Sequence, residues 1–172
     1  AKQLAYEMLG FTPIIYGWGI YVPVAQRMKT QLNENSKIVA FWSTLPEGGH
    51  NDVVGWDGDK ETSKRLCAVL IRDPREPEEM WNRIESTAKI VLKNSAGKII
   101  QIQATGESSL ERMFSVLYLG DLVSLYTALL RGVDPTPVKV IERLKNEMAG
   151  NLNVIAFLEN KVKKLAGGTK KE

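Results

Sequence analysis

Apolar residues along this chain follow two patterns, and the alternation between them predicts the fold. Residues 13–17, 38–44, 66–71 and 99–104 are short runs that are largely apolar, as in Leu66-Cys67-Ala68-Val69-Leu70-Ile71. Continuous rather than alternating apolar character marks strands buried on both faces of a parallel sheet. Between them, apolar residues recur every three or four positions, the helical spacing. Residues 22–32 form one such segment. Residues 77–92 form another, opened by Pro77 and two glutamates, with Met80, Trp81, Ile84, Ala88, Val91 and Leu92 on one stripe. Ile90-Val91-Leu92 could stand as a strand but reads better as the end of that helix. Residues 2–9 read as the end of a helix. Ser108 or Ser109 can cap a long helix through Leu130, closed by Arg131-Gly132. Asp134-Pro135-Thr136-Pro137 then breaks the chain and restarts it as a helix through Met148. An amphipathic helix over about 152–165 precedes a Gly-Gly-Thr tail. Strands alternating with helices predict an α/β fold, a doubly wound sandwich whose mainly parallel central sheet is flanked by helices. In such folds the ligand crevice lies beyond the carboxyl ends of the strands.

The helix over 109–130 is apolar on more than one face. One stripe can bury against the sheet, and the rest needs a second partner. That partner is a homodimer mate, or other parts of the same subunit covering a central helix on both sides.

Composition narrows the function classes. The chain has 172 residues, 44% of them hydrophobic and 25% charged, as in an ordinary globular domain. No uninterrupted apolar run approaches the ~20 residues that span a bilayer, and no signal-peptide pattern opens the chain. A net charge of +3 is too weak to imply nucleic acid. Much of the positive charge sits in the final stretch, at Lys161, Lys163, Lys164, Lys170 and Lys171, and reads as a solvated face and a frayed tail. The single cysteine, Cys67, lies in an apolar run and reads as a buried small hydrophobe in a reducing cytoplasm. One His and one Cys leave no ordinary zinc site. The chain opens on Ala1, and the expectation is a piece of a longer protein, or a domain that normally follows another.

Two residues stand out for chemistry. Glu34, in Asn33-Glu34-Asn35, falls after a helix end and before a strand, and His50, the one histidine, lies in Pro46-Glu47-Gly48-Gly49-His50-Asn51. A carboxylate and an imidazole are common proton-transfer groups. Glu47 is an alternative acid, and Asn51 and Asp52 could orient the ring. Gly17-Trp18-Gly19, between strand and helix, could cradle an anion, though a tight turn explains its glycines better. Thr105-Gly106-Glu107-Ser108-Ser109 could bind phosphate, but simple capping explains it better. There is no GxSxG for hydrolase chemistry, and the carboxylates do not cluster as in a metal or glycosidase site.

Longer words of sequence carry a resemblance. Lys29-Thr30-Gln31-Leu32-Asn33-Glu34-Asn35-Ser36-Lys37, Pro46-Glu47-Gly48-Gly49-His50-Asn51 and Val54-Gly55-Trp56 occur with Tyr16-Gly17-Trp18-Gly19-Ile20-Tyr21. Leu119-Gly120-Asp121-Leu122-Val123-Ser124-Leu125-Tyr126 runs on to Arg131-Gly132-Val133-Asp134-Pro135-Thr136-Pro137-Val138 and Ile141. Over about residues 1–148 this closely resembles the second sugar isomerase (SIS) domain of archaeal bifunctional phosphoglucose/phosphomannose isomerases. The resemblance implies an isomerase that interconverts glucose 6-phosphate or mannose 6-phosphate with fructose 6-phosphate through a cis-enediol. It makes Glu34 the base that moves a proton between C1 and C2. It makes His50 the group that assists ring opening, reaching the site of a neighbouring subunit in a homodimer with shared active sites. Lys145 matches a lysine that lines the site, Thr136 is a weaker match for a threonine there, and Asn51 joins them as substrate-binding. No metal or other cofactor is expected. The Ser/Thr-rich phosphate loop and an arginine of this family belong to the first SIS domain, expected upstream; no SxSGxT-like segment occurs here. Residues 149–172 extend past the usual family end as an extra helix and flexible basic tail. The rival expectation is a non-catalytic sugar-phosphate-binding or dimerisation module of the same fold, which has no need of the Glu34/His50 pair.

Overall fold

The computed structural model describes residues 1–151 and 153–167. They form two compact units, Ala1–Thr136 and the residues from Pro137 onward.

The first unit is an α/β sandwich around four parallel strands in the order β2-β1-β3-β4: β1 (Thr12–Gly17), β2 (Phe41–Thr44), β3 (Leu66–Arg72) and β4 (Lys98–Gln103). Central β3 is buried from Cys67 to Arg72, as its continuous apolar run requires. Ile14 aligns with Phe41 on one side and Ala68 on the other, and Val69 aligns with Ile100. On one face Ile15, Val69, Ile71, Ile100 and Ile102 pack with residues of α1 (Lys2–Met8), α2 (Val22–Glu34) and the long α7 (Ser109–Leu130). On the other, Tyr16, Ala68 and Leu70 pack with Trp56 of α3 (Asp52–Gly58) and Ile84 of α5 (Glu78–Thr87).

The elements follow the sequence pattern, with differences that have local causes. Helix α5 continues through a π-turn at Ala88–Leu92 into α6 (Lys93–Ser95), so Ile90-Val91-Leu92 is helical and the helix ends three residues later than expected. Trp81, assigned to the buried stripe, is instead exposed; Ile84 and Leu92 carry the burial, helped by Met80, Ala88 and Val91. Strand β2 is four residues rather than seven. Lys37 turns the chain in the left-handed region (φ 55°), and the Asn33 side-chain amide donates to the Ile38 carbonyl, so pairing begins only at Phe41. Helix α2 runs to Glu34, so that residue ends the helix rather than following it. The short α3 and α4 (Lys60–Ser63) were not legible, because Trp56 is the one large buried side chain they carry.

Helix α7 is capped by Ser108 in a capping box with Glu111. Its buried row includes Arg112, Val116, Gly120, Val123 and Thr127. Leu110, Phe114, Tyr118, Leu125 and Leu129 form an outer row that is exposed. Its 22 residues reach membrane-spanning length and apolar character, which no uninterrupted run in the sequence suggested. Yet Arg112 and Asp121 form ion pairs with Asp73 and Arg27, and the buried row packs in the core, so it is a core helix of this unit.

In the second unit α8 (Lys139–Asn151) carries exposed Val140, Ile141, Leu144 and Met148 at helical spacing, and the helix expected to end at Met148 runs on to Asn151. Helix α9 (Val154–Gly167) covers most of the expected last helix; Leu152 and the tail from Gly168 lie outside the described residues.

Candidate active site

Glu34 ends α2 at the edge of the sheet where strand β2 begins. The backbone around it is tied down residue by residue. Asn35 Nδ2 donates to Gln31 Oε1 (3.0 Å) and to Ser124 Oγ (2.8 Å), and Ser36 Oγ donates to the Ser124 carbonyl (2.6 Å). Lys37 Nζ donates to the carbonyls of Glu34 (2.6 Å) and Pro135 (3.1 Å). The Arg131 guanidinium donates to the carbonyls of Ser36 and Lys37. The Glu34 side chain is exposed, and its carboxylate has no hydrogen bond or ion pair among the described residues. A rigid helix end therefore presents an open acidic group.

His50 stands at the opposite edge, beyond the end of β2. A cis Leu45-Pro46 bond leads into a single 3-10 turn at Glu47–Gly49, and the His50 amide donates to the Glu47 carbonyl (2.8 Å). The turn is packed onto the sheet. A Cβ on Gly48 would lie 2.7 Å from Ser43 Oγ and 2.9 Å from Asp52 Oδ2, so a larger residue would have to displace those side chains. Trp56 Nε1 donates to the Tyr16 hydroxyl (2.7 Å), which also interacts with the Asp52 carboxylate; burial, partly offset by the Trp56 bond, pushes the Tyr16 phenol up. Asp52 thus anchors to Tyr16, and Asn51 Nδ2 donates to Glu47 Oε1 (2.6 Å). Neither orients the His50 ring, contrary to expectation, and the imidazole is exposed.

One copy of the chain does not bring Glu34 and His50 together. Helix α2 runs back from the carboxyl end of β1 to the amino end of β2, and His50 comes after β2 has crossed to the carboxyl end again. The carboxyl-edge crevice expected of this fold holds His50 alone.

Side chains bridge that crevice at its switch point, while a cavity of about 460 Å³ lined by Arg72, Asp73, Trp81 and Gln103 stays open beside it, at the ends of β3 and β4. The switch point of a 2-1-3-4 sheet lies between β1 and β3. There Trp18 Nε1 donates to the Ile71 carbonyl (3.0 Å) and the Tyr21 hydroxyl donates to Asp73 Oδ2. Arg112 Nε also donates to Asp73 Oδ2 (3.0 Å), and the Arg75 amide donates to Asp73 Oδ1 (2.7 Å). Burial works to raise Asp73, but the bonds from Tyr21, Arg75 and Arg112 outweigh it and hold the carboxyl below its ordinary range. Beside it, buried Arg72 pairs with Glu76 and Glu85. These residues were missed in the sequence. The available signal was the charged Arg72-Asp73-Pro74-Arg75 joined directly to an apolar strand.

The two loops considered for anions are structural. A Cβ on Gly17 would sit 2.5 Å from the Tyr21 carbonyl oxygen, so the turn itself demands glycine. At the start of α7, Glu111 Oε2 accepts from the amides of Glu107 (2.8 Å) and Ser108 (2.9 Å), which fills the place of an anion. Cys67 is buried and free, and burial pushes its thiol up to about 12, which fits a packing role. Thr136 is exposed, its amide bonded to Asp134 Oδ1 (2.9 Å), and Lys145 is exposed on α8.

The comparisons with known proteins agree with this architecture. The model of the bacterial phospho-glucose isomerase C-terminal SIS domain matches residues 1–148. A bifunctional phosphoglucose/phosphomannose isomerase of Aquifex aeolicus is 36% identical over 147 residues, covering 86% of this chain and 45% of that protein. One of Caldicellulosiruptor bescii is 39% identical over 150 residues, covering 87% and 44%. A crystal structure of a glucose-6-phosphate isomerase like protein from Thermus thermophilus superposes with a TM-score of 0.65 at 27% identity, covering 78% of this chain and 44% of that one. The chain thus spans somewhat under half the length of the curated relatives it matches. It belongs to the family of phospho-glucose isomerase C-terminal SIS domains.

Proposed function

We propose that this chain is the catalytic half of a phosphosugar aldose–ketose isomerase that interconverts glucose 6-phosphate, and mannose 6-phosphate, with fructose 6-phosphate. Glu34 carries the proton between C1 and C2 along one face of a cis-enediol, and a planar enediol lets one base serve both C2 epimers. His50 of a second copy opens the ring. Lys145 supplies positive charge near the enediolate oxygens, and Thr136 and Asn51 contact substrate. The observation that carries this reading is the placement of Glu34 and His50. Both are exposed on firmly held backbone, at opposite ends of one sheet, so a site that uses both draws them from two copies.

The phosphate anchor comes from an upstream SIS domain. What supports this is that the switch point of the present domain is bridged by Trp18 and Tyr21 and its α7 N-terminus is occupied by Glu111. The base sits at the other edge, where it can face the carboxyl end of a second sheet laid antiparallel. The outer row of α7 offers the seat for that domain. Leu110 and Leu129, and Phe114 and Leu125, are placed symmetrically about the middle of the helix, a spacing suited to antiparallel packing against a like helix.

Glu34→Gln in the complete protein tests the function. Loss of turnover between glucose 6-phosphate and fructose 6-phosphate, with an unchanged circular-dichroism spectrum, is expected. Retained turnover removes Glu34 from the reaction and leaves the non-catalytic sugar-phosphate-binding module as the better reading.

A further inference from the structure

We propose that Arg131 is the positioning residue for the Glu34 base, an inference that rests on the catalytic reading above. The Glu34 carboxylate has no side-chain bond to orient it, so its direction comes from the backbone at the end of α2. That backbone leaves the helix through a turn that side chains do not favour, with Lys37 at φ 55°. The turn leaves the neighbouring carbonyls of Ser36 and Lys37 both open to one guanidinium group. Arg131 caps the C-terminus of α7 and donates from one nitrogen to both of these oxygens, ninety-odd residues away in sequence. Charge-assisted donation makes this the strong link between the turn and α7. The Asn35 and Ser36 bonds to Ser124 attach the same turn to the same helix about two turns earlier. Lys37 closes the turn from outside by bridging the Glu34 and Pro135 carbonyls. Helix α7 thereby sets where the helix end of α2 points, and Arg131 is the one cation on α7 that reaches the turn.

The consequence is kinetic. Substrate is anchored through its phosphate elsewhere, so a looser turn leaves ground-state binding alone and moves the base relative to C1 and C2. Displacement on the order of 1 Å costs about 100-fold in rate. Lysine keeps the charge but lacks the planar fork, so it restores only part of the function.

The test uses the complete isomerase with Glu34→Gln as the reference. In Arg131→Gln, kcat is expected to fall about 10- to 100-fold, with KM within roughly twofold and the urea midpoint nearly unmoved. Arg131→Lys should lie between Arg131→Gln and wild type. Arg131→Gly should regain kcat on addition of methylguanidinium with KM and the urea midpoint unmoved, a split that a merely structural arginine would not show. Unchanged kcat in Arg131→Gln beside an inactive Glu34→Gln overturns the inference alone. So does a loss of kcat that follows the loss of folded protein and ignores methylguanidinium. An active Glu34→Gln overturns the catalytic reading and this inference with it.

Discussion

Mixing two inactive variants of the complete protein should restore activity, and the amount follows from the sheet. Strand β2 separates Glu34 from His50, and its four paired residues alone span about 10 Å. Glu34 lies before its start and His50 beyond its end. On the proposed reading a carboxylate and an imidazole act on adjacent atoms of one hexose and must both come within contact of it, so each site would take Glu34 from one copy and His50 from the other. Glu34→Gln and His50→Asn homodimers then have no intact site. Removing a general acid or base costs about 10²- to 10⁴-fold. In a heterodimer one site combines both defects and the other has neither. Random pairing at equal concentration makes half of the dimers mixed, so turnover should recover to about one quarter of wild type under twofold symmetry. Formation of glucose 6-phosphate from fructose 6-phosphate, read through a coupled dehydrogenase, measures it, with two affinity tags to quantify heterodimers. Heterodimers that form but give no more turnover than the sum of the two parents would mean that both groups serve the same copy. That result would overturn the reading of opposite edges as halves of a shared site.

Two further outcomes follow. The folded-state pKa of Asp73 is held below its unfolded value, so its ionised form stabilises the fold above about pH 4 and this contribution is lost as pH falls through the folded-state value. Asp73→Asn should therefore lower the urea midpoint at pH 7 and narrow the gap to wild type in strong acid; an equal gap at both pH values would refute the linkage. Phe114→Glu with Leu125→Glu on the outer row of α7 should lower the melting temperature and isomerase activity of the complete protein while shifting the stability of the present chain alone by no more than about 0.5 kcal/mol, as surface changes do; equal effects in both would show that no other domain covers this row.

Which features could be read in advance depends on the range of the interactions behind them. Parallel strands announce themselves locally, because each residue of β3 must suit a fully buried position, and α7 declares its start through Ser108 and Glu111 three residues apart. The exits from these elements are different. Lys37 looks like an ordinary surface lysine, yet its backbone is left-handed, its carbonyl is bonded by Arg131, which is far away in sequence, and β2 starts late after it. Trp81 belongs to the right helical stripe by number, yet it is exposed while Ile84 and Leu92 carry the burial. The site behaves in the same way. The two candidate proton-transfer groups are visible as residue types in unusual words, and the likeness to known isomerases implies the roles proposed for them. Their location at opposite edges follows from the handing of chain direction between β1, α2 and β2, which no single word contains. The filled switch point follows from Tyr21, Asp73 and Arg112, which share a hydrogen-bonded cluster but no sequence neighbourhood. A domain that bridges its own switch point with a buried ion pair while fixing an open carboxylate at the far edge is suited to chemistry at a shared surface, as proposed above. This makes association with other SIS domains a condition of the proposed activity, and it puts the clamp on the Glu34 turn, rather than any pocket in this domain, under the strictest geometric demand.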